Sequence, residues 1–163
     1  MFDAAILDAA GRVLDLCRQR RMMVVTAESC TGGLLAGSLT AVAGSSDVVD
    51  CGYVTYSCSA KTALLGVPAI LIHAHGAVSE EVARAMVEGI RNHHPGRAGV
   101  AITGVAGPGS DSRAKAAGLV YLAAAVDGEI LVTENRYGDI GRHAVRMASV
   151  RDALMLIAHC LRP

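Results

Sequence analysis

The amino-acid sequence predicts an α/β fold: a three-layer α/β/α sandwich on a mixed sheet, in one domain spanning residues 1–163. Two observations carry that prediction. Through the first part of the chain, stretches with helical spacing alternate with short apolar runs, the order expected of strands joined by helices. Near the end, Asp127-Gly128 separates two apolar runs and signals a two-residue hairpin, which requires an antiparallel pair in the same sheet. The size agrees, because 163 residues, 52% of them apolar, bury enough surface for one domain and leave a second cramped.

Each element has its own signal. From Ala4 to Arg20, Ile6, Ala9, Val13 and Leu16 return at helical intervals between polar residues, so the chain opens on an amphipathic helix. Met22 to Ala27 is a short apolar run that ends at Glu28 and Ser29. Thr31-Gly32-Gly33 then leads into a helical stretch from Leu34 to Val42, giving strand, tight loop, helix. Ala43 to Asp47 supplies turn residues, Val48 to Ser57 reads as a strand, and Ser59 caps a short helix that carries Lys61. Pro68 opens a brief helix to Ala74, and Ser79-Glu80-Glu81 starts another that reaches Asn92. Ala98 to Thr103 is a buried strand followed by the glycine-rich stretch 104–109 and a polar loop, 110–115, expected to be mobile. Leu119 to Val126 and Ile130 to Asn135 form the hairpin, and a last helix runs from about Arg142 to Leu161.

Bulk properties narrow the functional classes. Lys plus Arg (15) equal Asp plus Glu (15), so there is no broad field for a nucleic-acid backbone or an anionic membrane, and any phosphate recognition must be local. The five cysteines are scattered without paired metal-ligand spacing, which fits free thiols and a cytoplasmic location. The N-terminus lacks a basic signal region, and no apolar stretch reaches membrane-spanning length. His73 and His75, and the adjacent His93 and His94, have no acidic or cysteine partner at ligand spacing. They read as solvated helix ends, and neither a metal nor a cofactor is expected.

Three segments carry candidate chemistry. Thr26-Ala-Glu-Ser-Cys-Thr-Gly-Gly33 puts the Ser29 hydroxyl at the carboxyl end of a strand and the mouth of a helix, where unpaired N–H groups can hold a phosphate or an oxyanion. Ser29 or Thr31 could equally be a plain helix cap, and position alone does not separate the two readings. Tyr53-Val-Thr-Tyr-Ser-Cys-Ser-Ala-Lys61 could return Lys61 to the same sheet edge. Desolvation there would lower its pKa and make it a neutral base, with Tyr56 relaying or orienting the proton, against the alternative of a solvated lysine and a core tyrosine. Thr103-Gly-Val-Ala-Gly-Pro-Gly109 follows a second core strand and offers backbone amides and a hydroxyl, or simply a turn. Arg142 and Arg146, four apart, share a helix face that could clamp a phosphate or carboxylate, or form ordinary surface ion pairs.

Taken together, the segments 26–33, Ala43-Gly-Ser-Ser46, Gly52-Tyr-Val-Thr-Tyr-Ser57 with Lys61, Gly66-Val67, His75-Gly-Ala-Val-Ser79 and Gly104-Val-Ala-Gly-Pro108 closely resemble the CinA C-terminal domain family over nearly the whole chain. The resemblance is to its stand-alone form rather than to the longer competence/damage-inducible proteins. It implies an amidohydrolase that converts nicotinamide mononucleotide to nicotinate mononucleotide and ammonia, with Ser29 as nucleophile and Lys61 and Tyr56 as its activating partners. It further implies that amides near Cys30 and Thr31 stabilise the oxyanion. Cys30, Thr31, Gly32, Gly33, Ser46, Cys58, Thr103, Gly104, Ala106, Gly107 and Arg142 are implied to contact this small-molecule mononucleotide, and a homodimer is implied as the assembly. The sequence departs from the family pattern at Cys58, usually asparagine, at Lys115-Ala-Ala-Gly118, usually Lys-Pro-Val-Gly, and near Asp139-Ile-Gly-Arg142, commonly Gly-Asp-Arg. A cysteine cannot replace both the donor and the acceptor of an amide, so the alternative reading is a nucleotide-binding module with weak or no turnover, or an amidase for another small amide.

Overall fold

The computed structural model describes residues 2–162 and is a five-stranded mixed sheet with helices on both faces. The elements are α1 (Ala4–Arg20), β1 (Val24–Glu28), α2 (Leu34–Thr40), a 3-10 turn (Ser45–Asp47), β2 (Val49–Val54), α3 (Cys58–Leu65), α4 (Ala69–His75), α5 (Glu80–His93), β3 (Ala98–Gly104), β4 (Leu119–Val126), β5 (Glu129–Arg136) and α6 (Arg142–Cys160). Strand order is β2-β1-β3-β4-β5. The first three strands are parallel, and β4 and β5 add antiparallel.

The period-two geometry of strands sorts side chains to two cores. Val24, Val100, Ile102, Val120 and Leu122 point to the face covered by α1, α2 and α6, while Val25, Ala27, Ala101 and Ala123 point to the face covered by α3, α4 and α5. All five residues of β1 are buried, as expected for a parallel strand covered on both sides. Asp127 and Gly128 both have positive φ, the backbone that a two-residue hairpin needs.

Local signals held where capping and periodicity are strong. Ser79 accepts from Val82 N–H at the start of α5, and Ser57 accepts from Ala60 N–H at the start of α3. The cap of α3 is therefore Ser57 rather than Ser59. β2 ends at Val54, short of the predicted Ser57, because Tyr56 and Ser57 already belong to the turn into α3. β1 starts at Val24 and reaches Glu28, later at both ends than the apolar run suggests.

The polar loop after β3 is tied down at several points. Arg113 donates to the carbonyls of His73 and Ala74, and Lys115 donates to those of His75 and Val78. Asp111 accepts from the amides of Arg113 and Lys115. These contacts hold the loop against the C-terminal end of α4, over the carboxyl ends of β1 and β3.

Those two strands mark the switch point of the sheet. The chain leaves β1 through α2 on one face to reach β2, then crosses the other face through α3, α4 and α5 to β3, on the opposite side of β1. Ligands of open α/β sheets bind in the crevice such a reversal opens.

Candidate active site

Ser29 directly follows β1, and its N–H extends the ladder by donating to Ile102 O at 2.9 Å. Lys61 lies on α3, 1% exposed, and its Nζ donates to Ser29 Oγ at 2.9 Å and to Thr55 O at 2.7 Å. The close approach of α3 to α5 that puts Lys61 there depends on Gly89, where a Cβ would fall 2.1 Å from Leu65 O. Burial pushes the Lys61 ammonium below its ordinary pKa by desolvation, partly opposed by the nearby thiols of Cys58 and Cys30. The arrangement pairs a hydroxyl with an amine that holds its proton less tightly than a solvated lysine, a combination that can activate a serine.

A cleft of about 580 Å³ opens over this pair. Its wall includes Cys30, Tyr56 and Cys58 on one side, Thr103 to Pro108 at the end of β3, and Arg113 and Arg142 at the rim. Thr103 Oγ1 donates to Ala77 O at 2.7 Å, which closes the floor between β3 and the turn before α5. Gly104 lines the cleft and also has a packing reason to be glycine, since a Cβ would meet Val120 at 2.6 Å.

Tyr56 is 60% exposed, and its hydroxyl accepts from Arg142 Nη2 at 2.8 Å rather than contacting Ser29 or Lys61. The predicted relay is corrected accordingly: Tyr56 stands at the cleft mouth, and Thr55, which sequence reasoning passed over, is the residue whose carbonyl holds the lysine. Arg142 also donates to Gly107 O at 2.8 Å, so it ties the β3 loop to Tyr56. Arg146 does not share its role. Its guanidinium donates to Cys30 O and Thr31 O at 3.1 and 2.9 Å and anchors the loop from behind.

That anchoring orients the Thr31 amide. In a trans peptide the N–H points opposite to the carbonyl, so with Cys30 O turned to Arg146 the Thr31 N–H points away from it. The amides of Cys30 and Thr31 have no hydrogen-bond partner among the described residues, and the buried Thr31 Oγ1 has none either.

The mouth of α2 is a different matter. Its amides serve Glu28, a fully buried carboxylate that accepts from Gly33 N and Leu35 N at 3.0 Å and from Ala36 N at 2.9 Å. The expectation of a helix N-terminus free for a phosphate or oxyanion is therefore corrected, and the unpaired donors move back to residues 30 and 31. Thr31, Gly32 and Gly33 lie outside the cleft lining; Thr31 is fully buried, and both glycines need positive φ for the turn. Ser46 is also outside it, exposed on the 3-10 turn before β2, at the opposite end of the parallel strands from Ser29.

The histidines divide. His73 lines the cleft, while His94 accepts or donates at 2.7 Å to the Tyr53 hydroxyl, so it is packed rather than solvated. Among the described residues no group of three or more His, Cys, Asp or Glu is placed to hold a metal ion. No described helix is long and apolar enough to cross a membrane.

Comparison with known proteins now decides the family, since the CinA C-terminal domain matches residues 7–161. The chain belongs to the CinA C-terminal domain family. Among curated CinA-domain relatives, it is 46% identical over 149 residues to a nicotinamide-nucleotide amidohydrolase of Pseudomonas putida, covering 91% of this chain and 92% of that protein. It is 44% identical to a CinA-like protein of Gemmatimonas aurantiaca over 86% of this chain, and spans about a third (34%) of that relative's length. The CinA fold is equally plain in solved structures. A competence/damage inducible protein of Agrobacterium tumefaciens superposes with TM-score 0.93 at 46% identity, covering 99% of this chain and 98% of that one. A CinA superfamily protein of Klebsiella pneumoniae does so with TM-score 0.90 at 34% identity, covering 96% and 97%.

Proposed function

We propose that this protein is a serine amidohydrolase that deamidates nicotinamide mononucleotide. The observation that carries the reading is the buried Lys61 amine 2.9 Å from Ser29 Oγ, under a cleft of ligand size. The P. putida relative, matched over nine-tenths of both chains, supplies the substrate by its name.

The steps follow from the pairing. Neutral Lys61 takes the Ser29 proton as Oγ attacks the carboxamide carbon, and the unpaired amide of Cys30, which lines the cleft, receives the oxyanion. The carbon–nitrogen bond then breaks as Lys61 returns the proton to the leaving nitrogen, which departs as ammonia. Water attacks the acyl-enzyme ester, gives a proton to Lys61, and releases nicotinate mononucleotide as Ser29 regains its hydrogen. Arg142 and Arg113 at the rim offer cationic contact to the phosphate. The protein is read as acting in the cytoplasm as a homodimer, which sedimentation velocity would check.

Ammonia release from nicotinamide mononucleotide tests the reading directly. Wild-type protein turns over, and Ser29→Ala loses at least about a thousandfold in kcat. Equal rates in the two proteins would sink the mechanism. Tight binding of the mononucleotide without turnover by wild type would favour the binding-module reading, for which Cys58 in the cleft wall is the motivating feature.

A further inference from the structure

Glu28 is the one acidic residue of β1, and it is fully buried. Placing a carboxylate in a strand sandwiched between two cores is costly unless its oxygens are well paired. The amides of Gly33, Leu35 and Ala36 meet that need. The N-cap itself cannot supply a local cap, because Gly33 has no side chain and its positive φ disfavours the serine or aspartate that would provide one. A cap supplied from β1 instead spans the loop. It closes the loop that carries Ser29 by tying its start at Glu28 to the first turn of α2.

The backbone of Glu28 reaches the other partner. Its carbonyl accepts from Thr55 N at 2.8 Å, and Thr55 O accepts from Lys61 Nζ at 2.7 Å. A continuous set of contacts thus runs from α2 through the Glu28 carboxylate and carbonyl to Thr55, then to Lys61 and back to Ser29 Oγ. We infer that Glu28 is a positioning residue for the Ser29–Lys61 pair: its carboxylate fixes the nucleophile loop against α2, and its carbonyl fixes the residue that holds the base. By occupying the α2 amides it also leaves those of Cys30 and Thr31 as the unpaired donors beside Ser29. The inference rests on the proposed serine mechanism and adds to it a residue that never touches substrate.

The test compares wild type, Glu28→Gln and Glu28→Asp as full chains. Four quantities are read: kcat, KM for nicotinamide mononucleotide, the pH midpoint of the rising rate limb, and the rate at which a small fluorophosphonate labels Ser29. Glutamine keeps the volume but turns an N–H₂ toward amides that need an acceptor. It is expected to lower kcat roughly 10- to 100-fold, as small misplacements of reacting groups do, with KM within about twofold and labelling slowed in proportion. The pH midpoint stays put, because the burial of Lys61 sets it. Aspartate keeps the charge on a shorter arm and recovers part of the loss.

Circular dichroism and melting establish that each variant is folded at the assay temperature. If the glutamine protein does not fold, the aspartate protein decides. A folded aspartate variant with lower kcat and unchanged KM supports the role, and wild-type kcat and labelling overturn it. A glutamine variant with wild-type rates, or with a change in KM alone, also overturns it. Wild-type protein that is labelled at Ser29 but inert on nicotinamide mononucleotide means that the substrate reading fails while labelling still decides Glu28. Wild-type protein neither labelled nor active overturns both.

Discussion

Lys61 shows how the fold can give one side chain surroundings that its type does not suggest. Lysines usually keep their ammonium in water, yet this one is sealed under α3 with a carbonyl and a hydroxyl as partners. Its lowered pKa sets a pH dependence whose sign is fixed. In the proposed mechanism the neutral amine is the active form, so the turnover rate should rise with pH through the lowered Lys61 pKa and level off above it. Lys61→Met, which keeps the stem and removes the base, should lose about 100- to 10,000-fold in kcat and abolish that rising limb in a pH–rate profile. A limb that survives the substitution would assign the titration to another group. Cys30, next to Ser29, is no rival for the proposed role of that serine, since burial pushes its thiol up to about 11.

Much of this residue-level picture was legible before the fold. Ser29 and Lys61 stood out as a hydroxyl and an amine at two strand ends. Tyr56 stood out as well but faces Arg142, because its long side chain turns outward once β2 has ended. Thr55 and Glu28 were passed over because their work is done by a backbone carbonyl and by amides several residues away, neither of which has a residue-type signature.

At the scale of elements, the helix that carries Lys61 is placed by a crossing rather than by its own sequence. Gly89 sits within α5, where alanine has the better helix propensity by about 1 kcal/mol. Tertiary contact reverses the sign, because a Cβ at that position would lie 2.1 Å from Leu65 O in the last turn of α3. Gly89→Ala should therefore destabilise by about 1–3 kcal/mol, read by urea unfolding, and should lower kcat as α3 is pushed outward with Lys61. A variant with raised stability would show that α3 and α5 separate without cost. The same scale explains the fate of the arginine pair on α6. Residues four apart share a face, but one end of that face meets the cleft and the other meets the back of the Ser29 loop.

The whole molecule must carry the cost of its buried amine. Between the lowered folded-state pKa of Lys61 and its ordinary value of 10.5, the unfolded chain binds the extra proton and the native state does not. Stability contributed by this group therefore increases as pH rises through that window, and below it the desolvation penalty is present in full. Unfolding midpoints in urea, compared for wild type and Lys61→Met, should show a positive pH slope in wild type that the variant lacks. Equal slopes would mean that Lys61 is not desolvated in solution.

The sequence by itself determined the elements and the class of fold, since helical and strand periodicities, the Ser79 cap and the Asp127-Gly128 turn are local properties of the chain. It also marked Ser29 and the loops at 26–33 and 103–109, because glycines after strands limit what the backbone can do. Which groups meet was decided only by the tertiary structure. The switch of crossovers about β1 brought α3 over the end of that strand. The amides of Gly33, Leu35 and Ala36 took Glu28, and Arg146 holds the carbonyls of Cys30 and Thr31. The physical reason is reach: long side chains and backbone groups choose partners by distance in three dimensions, and a spacing along the chain does not encode that distance.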